Sequence, residues 1–224
     1  MDNYVTVDPL SAKPIECWKK YQKQGRISEP IKTLRLDAPI HSNKVRFVCI
    51  SDTHDQLADF LPDIPDGDVL IHAGDFTNSG DVSSVIKFNQ ELGTLPHKHK
   101  IVIAGNHELG FEDGEPMNDK QLAGLNMLGI KKAYELLSNC TYLCDKHIEI
   151  YGLKLYGAPW HPMPGYSFYR PRGQKILHKW NQKHGATTNG TTTFINASMC
   201  DSKLRSAFDP IIFDIPLPPG YTKS

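Results

Sequence analysis

The chain predicts an α/β fold, and two observations carry that expectation. Short apolar runs at 45–50, 69–71 and 101–104 alternate with longer stretches of helical pattern, as in βαβ units. Each run ends on a compact polar string: Asp52-Thr53-His54, Gly74-Asp75, and Gly105-Asn106-His107-Glu108. Ligands of open α/β sheets bind beyond the carboxyl ends of the strands, so the three strings are expected along one sheet edge.

Taken in order, residues 1–44 are polar and punctuated by proline, with one short helix expected around 15–23. They read as an N-terminal arm laid over the domain that fills 45–224. Strands are expected at 45–50, 68–72 and 100–104. Between the second and third, Asp81 can cap a helix whose apolar residues are Val82, Val85, Ile86 and Leu92. Leu122, Leu125 and Leu128, then Tyr134, Leu136 and Leu137, predict two helical pieces broken at Gly129. From 141 the texture becomes short strands at 141–143, 147–151 and 153–156, the last two a hairpin turning at Gly152, before a rigid loop at 157–162. A helix at 172–182, a polar stretch at 183–192, and strands at 193–196 and 211–215 complete the reading. There is no repeat and no linker that would divide two domains.

Composition narrows the function classes. With 39% hydrophobic residues, 224 residues can bury one sizeable core. The 25 basic and 25 acidic side chains cancel, so no global field draws the chain to nucleic acid or anionic lipid. No secretion-signal pattern opens the chain and no run reaches the length of a membrane span. Five cysteines lack metal-finger or disulfide-framework spacing, and a reduced, cytoplasmic setting is expected. Among the other histidines, His72 inside a strand reads as a core residue, and His97, His99 and His147 as solvated surface.

The strings suit divalent metal. Alternation along an extended Asp52-x-His54 would put both side chains on one side, able to grip one ion. Asp75, with two oxygens, can bridge to a second ion to which Asn106 offers an amide oxygen. Two ions about 3.5–4 Å apart hold the attacking and leaving oxygens of a phosphoryl displacement and lower the pKa of water toward 7. His107 can then face the substrate and contact phosphate or protonate the leaving oxygen. Gly74 and Gly105 allow the backbone to turn tightly there.

These residues resemble the calcineurin-like metallophosphoesterases. From 46 to 160 the chain looks most like the metallophosphoesterase-domain-containing phosphodiesterases of animals, through RFVCISDTHD, DVLIHAGDFTNSG, IVIAGNHE and LYGAPW; FINAS at 194–198 and IIFDIP at 211–216 extend the likeness. The resemblance implies a four-layer αββα sandwich with a dinuclear centre. It makes Asp52, His54, Asp75 and Asn106 the metal ligands and His107 the catalytic histidine, with no other cofactor. Implied with them are hydrolysis of a small phosphodiester or cyclic nucleotide and Mn²⁺, or Fe, Zn or Mg, as the ion.

The family pattern continues with a His-Gly-Pro-like string and a Gly-His-x-His string that complete both metal sites. This chain has neither, and the text jumps near 182–185 as if several dozen residues were deleted, leaving the second sheet incomplete. Asp52, His54 and Asp75 remain for one ion, and Asp75 and Asn106 alone for the other. His161, His178 and His184 are the candidate replacements, His161 the best placed, with packing or solvent exposure the stronger reading for each. Asn78-Ser79-Gly80 stands where phosphoprotein phosphatases of the superfamily carry Asp-Arg-Gly, which favours a phosphodiesterase. The expectation is thus a metal-dependent phosphoesterase with reduced activity. The alternative is a non-catalytic metal- or nucleotide-binding relic or scaffold.

Overall fold

The computed structural model describes residues 9–10, 13–24, 29–161, 163–170, 185–188, 193–200 and 205–223. The expected helix at 172–182, with His178 and His184, lies outside them.

The strands are β1 (Glu29–Ile31), β2 (Lys44–Ile50), β3 (Val69–His72), β4 (His99–Val102), β5 (Thr141–Tyr142), β6 (Lys146–Ile150), β7 (Leu153–Gly157), β8 (Gly185–Thr188), β9 (Thr193–Asn196) and β10 (Ile211–Pro216). The helices are α1 (Pro14–Lys23), α2 (Leu57–Phe60), α3 (Val82–Thr94) and α4 (Asp119–Met127), with single 3₁₀ turns at Leu61–Asp63 and Ala133–Leu136. The central sheet has the order β10-β2-β3-β4-β5. β2, β3, β4 and β5 run parallel, and β10 closes the edge antiparallel to β2. The expected α/β fold is what forms.

This sheet is buried on both faces because its strands are apolar at both parities. Val48, Ile50, Leu70, Val102 and Ala104 point to one side, where Val85, Phe88 and Leu92 of α3 join them in the larger core. Val45, Phe47, Val69 and Ile101 point to the other, against Ile148, Ile150, Leu153 and Leu155 of the β6–β7 hairpin. Near-continuous apolar runs are the signature of strands covered on both sides. The hairpin turns at Tyr151 and Gly152, φ +52° and +75°, two left-handed residues in succession as a tight two-residue turn requires. A separate sheet, β1-β8-β9, joins the N-terminal stretch to the C-terminal third.

Several local expectations change. Asp81 does occupy the N-cap of α3, but its carboxylate accepts hydrogen bonds from the Ser79 hydroxyl (2.8 Å) and Lys120 Nζ (3.0 Å) instead of the helix backbone. α3 stops at Leu95, whose extended backbone is what the following Pro96 demands. α4 starts from an unforeseen capping box, in which the Asn118 and Gln121 side chains each satisfy the other's backbone N–H. Its inner face is Gln121 and Leu125, leaving Leu122 and Leu128 exposed, so the leucine spacing marked the helix and not its buried side. β8 falls in the stretch read as polar; its Gly and Ala disfavour a strand, its two threonines favour one, and ladders on both sides hold it. His72 is buried as expected. His97 is not solvated surface: it is 2% exposed, its Nε2 3.1 Å from the Pro65 carbonyl.

Arg46 locks the sheet edge. Its guanidinium is buried and pairs with Asp214, its register partner on β10. Its remaining N–H groups donate to the carbonyls of Ala38 (3.0 Å) and Pro39 (2.9 Å), which fastens the N-terminal stretch to the sheet.

Candidate metal centre

β2, β3 and β4 are adjacent and parallel, so the segments that leave them emerge at the same sheet edge. There the backbone departs from strand geometry. Asp52, His54, Asp55 and Asp75 all have positive φ (+56°, +41°, +63° and +53°). The expectation that an extended Asp52-x-His54 aligns its side chains is therefore corrected, since a tight coil places them. Left-handed non-glycine residues cost energy and cluster where surrounding bonds over-determine the backbone. Here the Asp52, His54 and Asp55 N–H groups donate to the carbonyls of Gly74, Asp75 and Phe76 at 2.9, 3.1 and 3.0 Å.

The coil brings together one nitrogen or oxygen each of His54, Asp75 and His107, all within 4.8 Å of one another. The His54 ring is 4.7 Å from the His107 ring and nearly perpendicular to it. His54 is 2% exposed and its Nδ1 is buried without a hydrogen-bond partner. A buried imidazole nitrogen without a protein partner, beside a carboxylate and a second imidazole, fits a transition-metal ligand set. His107 Nδ1 lies 2.8 Å from the Asn78 carbonyl, a contact that fixes the ring and leaves Nε2 as the nitrogen with free capacity.

Asp75 also belongs to a second group. With Asp52 and Asn106 it lines a cavity of about 710 Å³, whose other walls include Trp160, Phe194 and Asn196. Asp75 is thus common to the histidine cluster and to the oxygen-lined cavity. Burial, and after the Ser51 hydroxyl's opposing effect the nearby Asp75 carboxylate, hold the Asp52 carboxyl above its ordinary range. Carboxylates crowded in this way have much to gain from a cation.

Gly74 and Gly105 allow the approach. A Cβ on Gly105 would lie 2.2 Å from Asp75 Oδ1, and one on Gly74 would lie 2.6 Å from the Gly105 nitrogen. Sequence reading assigned these glycines to turns; they also bring two loops into direct contact.

Glu108 has a part that sequence reading missed. It is fully buried, and its oxygens accept from Asp75 N (2.9 Å), Gly105 N (2.6 Å), Thr77 N (2.9 Å) and the Thr77 hydroxyl (3.0 Å). One side chain therefore ties the loop after β3 to the loop after β4. Burial first, then the Asp75 carboxylate, raise its carboxyl above the ordinary range, while the Gly105 and Thr77 donors pull the other way. The available signal was its place directly after Gly-Asn-His at a strand end, where a buried acid needs donors.

His161, the best-placed of the candidate replacement ligands, lines the same cavity. Both of its ring nitrogens are engaged within its own loop, Nε2 with the Ser167 carbonyl and Nδ1 as acceptor from Met163 N at 3.1 Å. It is a packing residue here.

Comparison with known proteins agrees with this geometry. A family model described as calcineurin-like phosphoesterase matches residues 45–212. A UPF0046 protein of Caenorhabditis elegans is 64% identical over 278 aligned positions that cover 99% of each chain. Those 278 positions exceed the 224 residues of this chain by 54, so at least that many face no residue here. Metallophosphoesterase domain-containing protein 1 of Homo sapiens is 34% identical, over 96% of this chain and 86% of its own length. Among the described residues no helix is long and apolar enough to cross a membrane. With a candidate metal-ligand set at the ends of its parallel strands and the family match over most of its length, the chain belongs to the calcineurin-like phosphoesterases.

Proposed function

We propose that this chain is a metal-dependent phosphoesterase acting on small phosphodiesters, cyclic nucleotides among them, with activity lowered by an incomplete second metal site. The observation that carries the reading is the convergence of His54, Asp75 and His107 within 4.8 Å beside a buried, unpartnered His54 Nδ1. Asp52, His54 and Asp75 are assigned to one ion, and Asp75 and Asn106 to the weaker second site. Mn²⁺ is the ion the family resemblance suggests, with Fe, Zn and Mg as alternatives; the imidazoles suit Fe or Zn and the carboxylates Mn or Mg. A divalent ion, when bound, supplies charge stabilisation for the phosphoryl group and acidifies water.

The protein groups do the rest. Glu108 holds the Asp75 and Gly105 backbones so that the bridging carboxylate and the Asn106 amide keep their places. His107, its Nδ1–H donated to the Asn78 carbonyl, is assigned to face the substrate through Nε2 and, when the ring is doubly protonated, to give that second proton to the leaving oxygen. The deletion is assigned to the junction near 182–185; the alignment positions without a residue from this chain support a loss of that scale. Five cysteines that form no disulfide suit a reducing, cytoplasmic setting.

The test combines metal content with hydrolysis of a chromogenic phosphodiester in Mn²⁺. About one ion per chain and weak turnover that Asp75→Ala abolishes are expected. Two tightly held ions with robust turnover would overturn the lowered activity. One retained ion with no turnover would identify a binding relic, and no retained ion would overturn the metal site itself.

A further inference from the structure

We infer that Tyr166 is a specificity-determining residue that stacks on a planar aromatic substituent of the phosphate ester held at His107. The inference rests on the phosphoesterase reading and deepens it, because it names the chemistry of the group attached to phosphorus.

Three observations carry it. The Tyr166 ring lies 5.3 Å from the His107 ring, tilted by 48°. His107 in turn has a ligand atom within 4.8 Å of those of His54 and Asp75. Ring centroids interact at about 4.5–7 Å, so Tyr166, already within that range of His107, presents its ring to an aromatic group carried by a phosphate ester at this cluster. Second, Tyr166 is 40% exposed, whereas the residues after it are buried: Ser167 and Phe168 are each 1% exposed.

Third, the loop that carries Tyr166 is clamped. The Ser167 hydroxyl donates to Glu115 Oε2 (2.6 Å), and Phe168 N donates to Glu112 Oε2 (2.8 Å). Arg170 pairs with Glu112 Oε1 at 2.5 Å, and its guanidinium lies 4.2 Å from the centre of the Trp160 ring. Phe168, at φ +58°, packs edge-on to Trp160. All of this fixes the backbone, yet it leaves the tyrosine ring half in solvent beside the chemistry. An aromatic surface held rigid before binding loses little entropy when a ligand ring stacks on it.

Calorimetric titration with Mn²⁺ tests the inference, using phenylphosphonate, methylphosphonate, adenosine 5′-monophosphate and inorganic phosphate. Wild type should bind phenylphosphonate or the nucleotide about tenfold more tightly than methylphosphonate, a preference in the range of base–aromatic stacking. Tyr166→Ala should erase that preference while leaving methylphosphonate and inorganic phosphate unchanged, and Tyr166→Phe should keep it. Preference for phenylphosphonate alone identifies a small aryl group, and preference for the nucleotide alone identifies a nucleobase; either supports the inference. Equal weakening of all four ligands by Tyr166→Ala would make Tyr166 a support for His107 and overturn the inference. Binding of inorganic phosphate without aromatic preference would overturn it while sparing the phosphoesterase reading. Binding of none of the four would overturn both.

Discussion

Asp214→Ala should be among the most destabilising single substitutions at the sheet edge, although Asp214 touches no part of the metal centre. The Arg46 side chain is 1% exposed and that of Asp214 10%. Two unit charges about 4 Å apart attract by roughly 4 kcal/mol at the effective dielectric of such sites. Removing one member of a buried pair costs about 3–5 kcal/mol, because the other charge stays buried without its counterion. Arg46 would keep the Ala38 and Pro39 carbonyls, so the low end, about 3 kcal/mol, is expected. Urea unfolding followed by tryptophan fluorescence reads this out. With a slope of about 2 kcal/mol/M, the midpoint should fall by roughly 1.5 M. The Arg46→Met, Asp214→Leu double substitution should cost less than Asp214→Ala alone, since it leaves no uncompensated charge. The pH dependence has a definite sign. The Arg46 guanidinium holds the Asp214 carboxyl below its ordinary range. The pair's contribution is therefore present above the unfolded value of about 3.9 and lost as pH falls through the lower folded value. An Asp214→Ala midpoint within about 0.3 M of wild type at pH 7 would refute the reasoning. So would a double substitution as costly as the single.

Two further outcomes follow from the site and the core. Gly105→Ala must displace Asp75, because its Cβ would lie 2.2 Å from Asp75 Oδ1 and 2.6 Å from Asp75 N; elemental analysis should find the bound ion lost, and retention of wild-type metal content would contradict the geometry. His72 is fully buried, edge-on to the stacked rings of Phe76 and Phe88, and burial holds its pKa down to about 3. Its ring should give the NMR signature of neutral imidazole down to pH 5, and a titration midpoint near 6.5 would contradict it. Because the unfolded chain takes up this proton below about 6.5, the ring subtracts roughly 1.4 kcal/mol of stability per pH unit as pH falls from there toward 3.

What could be read in the chain follows from distance along it. A strand and the polar string behind it are neighbours in sequence, so 45–50 with Asp52 and His54, and 101–104 with Asn106 and His107, were legible together. Near-continuous apolar runs marked the strands of the central sheet, and the three strings located one edge of it. The parts that required the fold depend on partners far away. Glu108 acquires its role from donors at Thr77 and Asp75, more than 30 residues earlier. His97 is buried because it meets Pro65 across 32 residues, and β8 exists because β1 and β9 flank it.

The sequence by itself determined the family, the residue types of the candidate metal site and their place at strand ends. All of these are encoded in contiguous strings, each directly behind an apolar run. Only the tertiary structure decided that Asp52, His54 and Asp75 sit in left-handed backbone, that Asp75 is shared between a histidine cluster and an oxygen-lined cavity, and that Tyr166 stands beside His107. Each of these depends on loops brought together by hydrogen bonds between elements, and no local pattern of side chains records them.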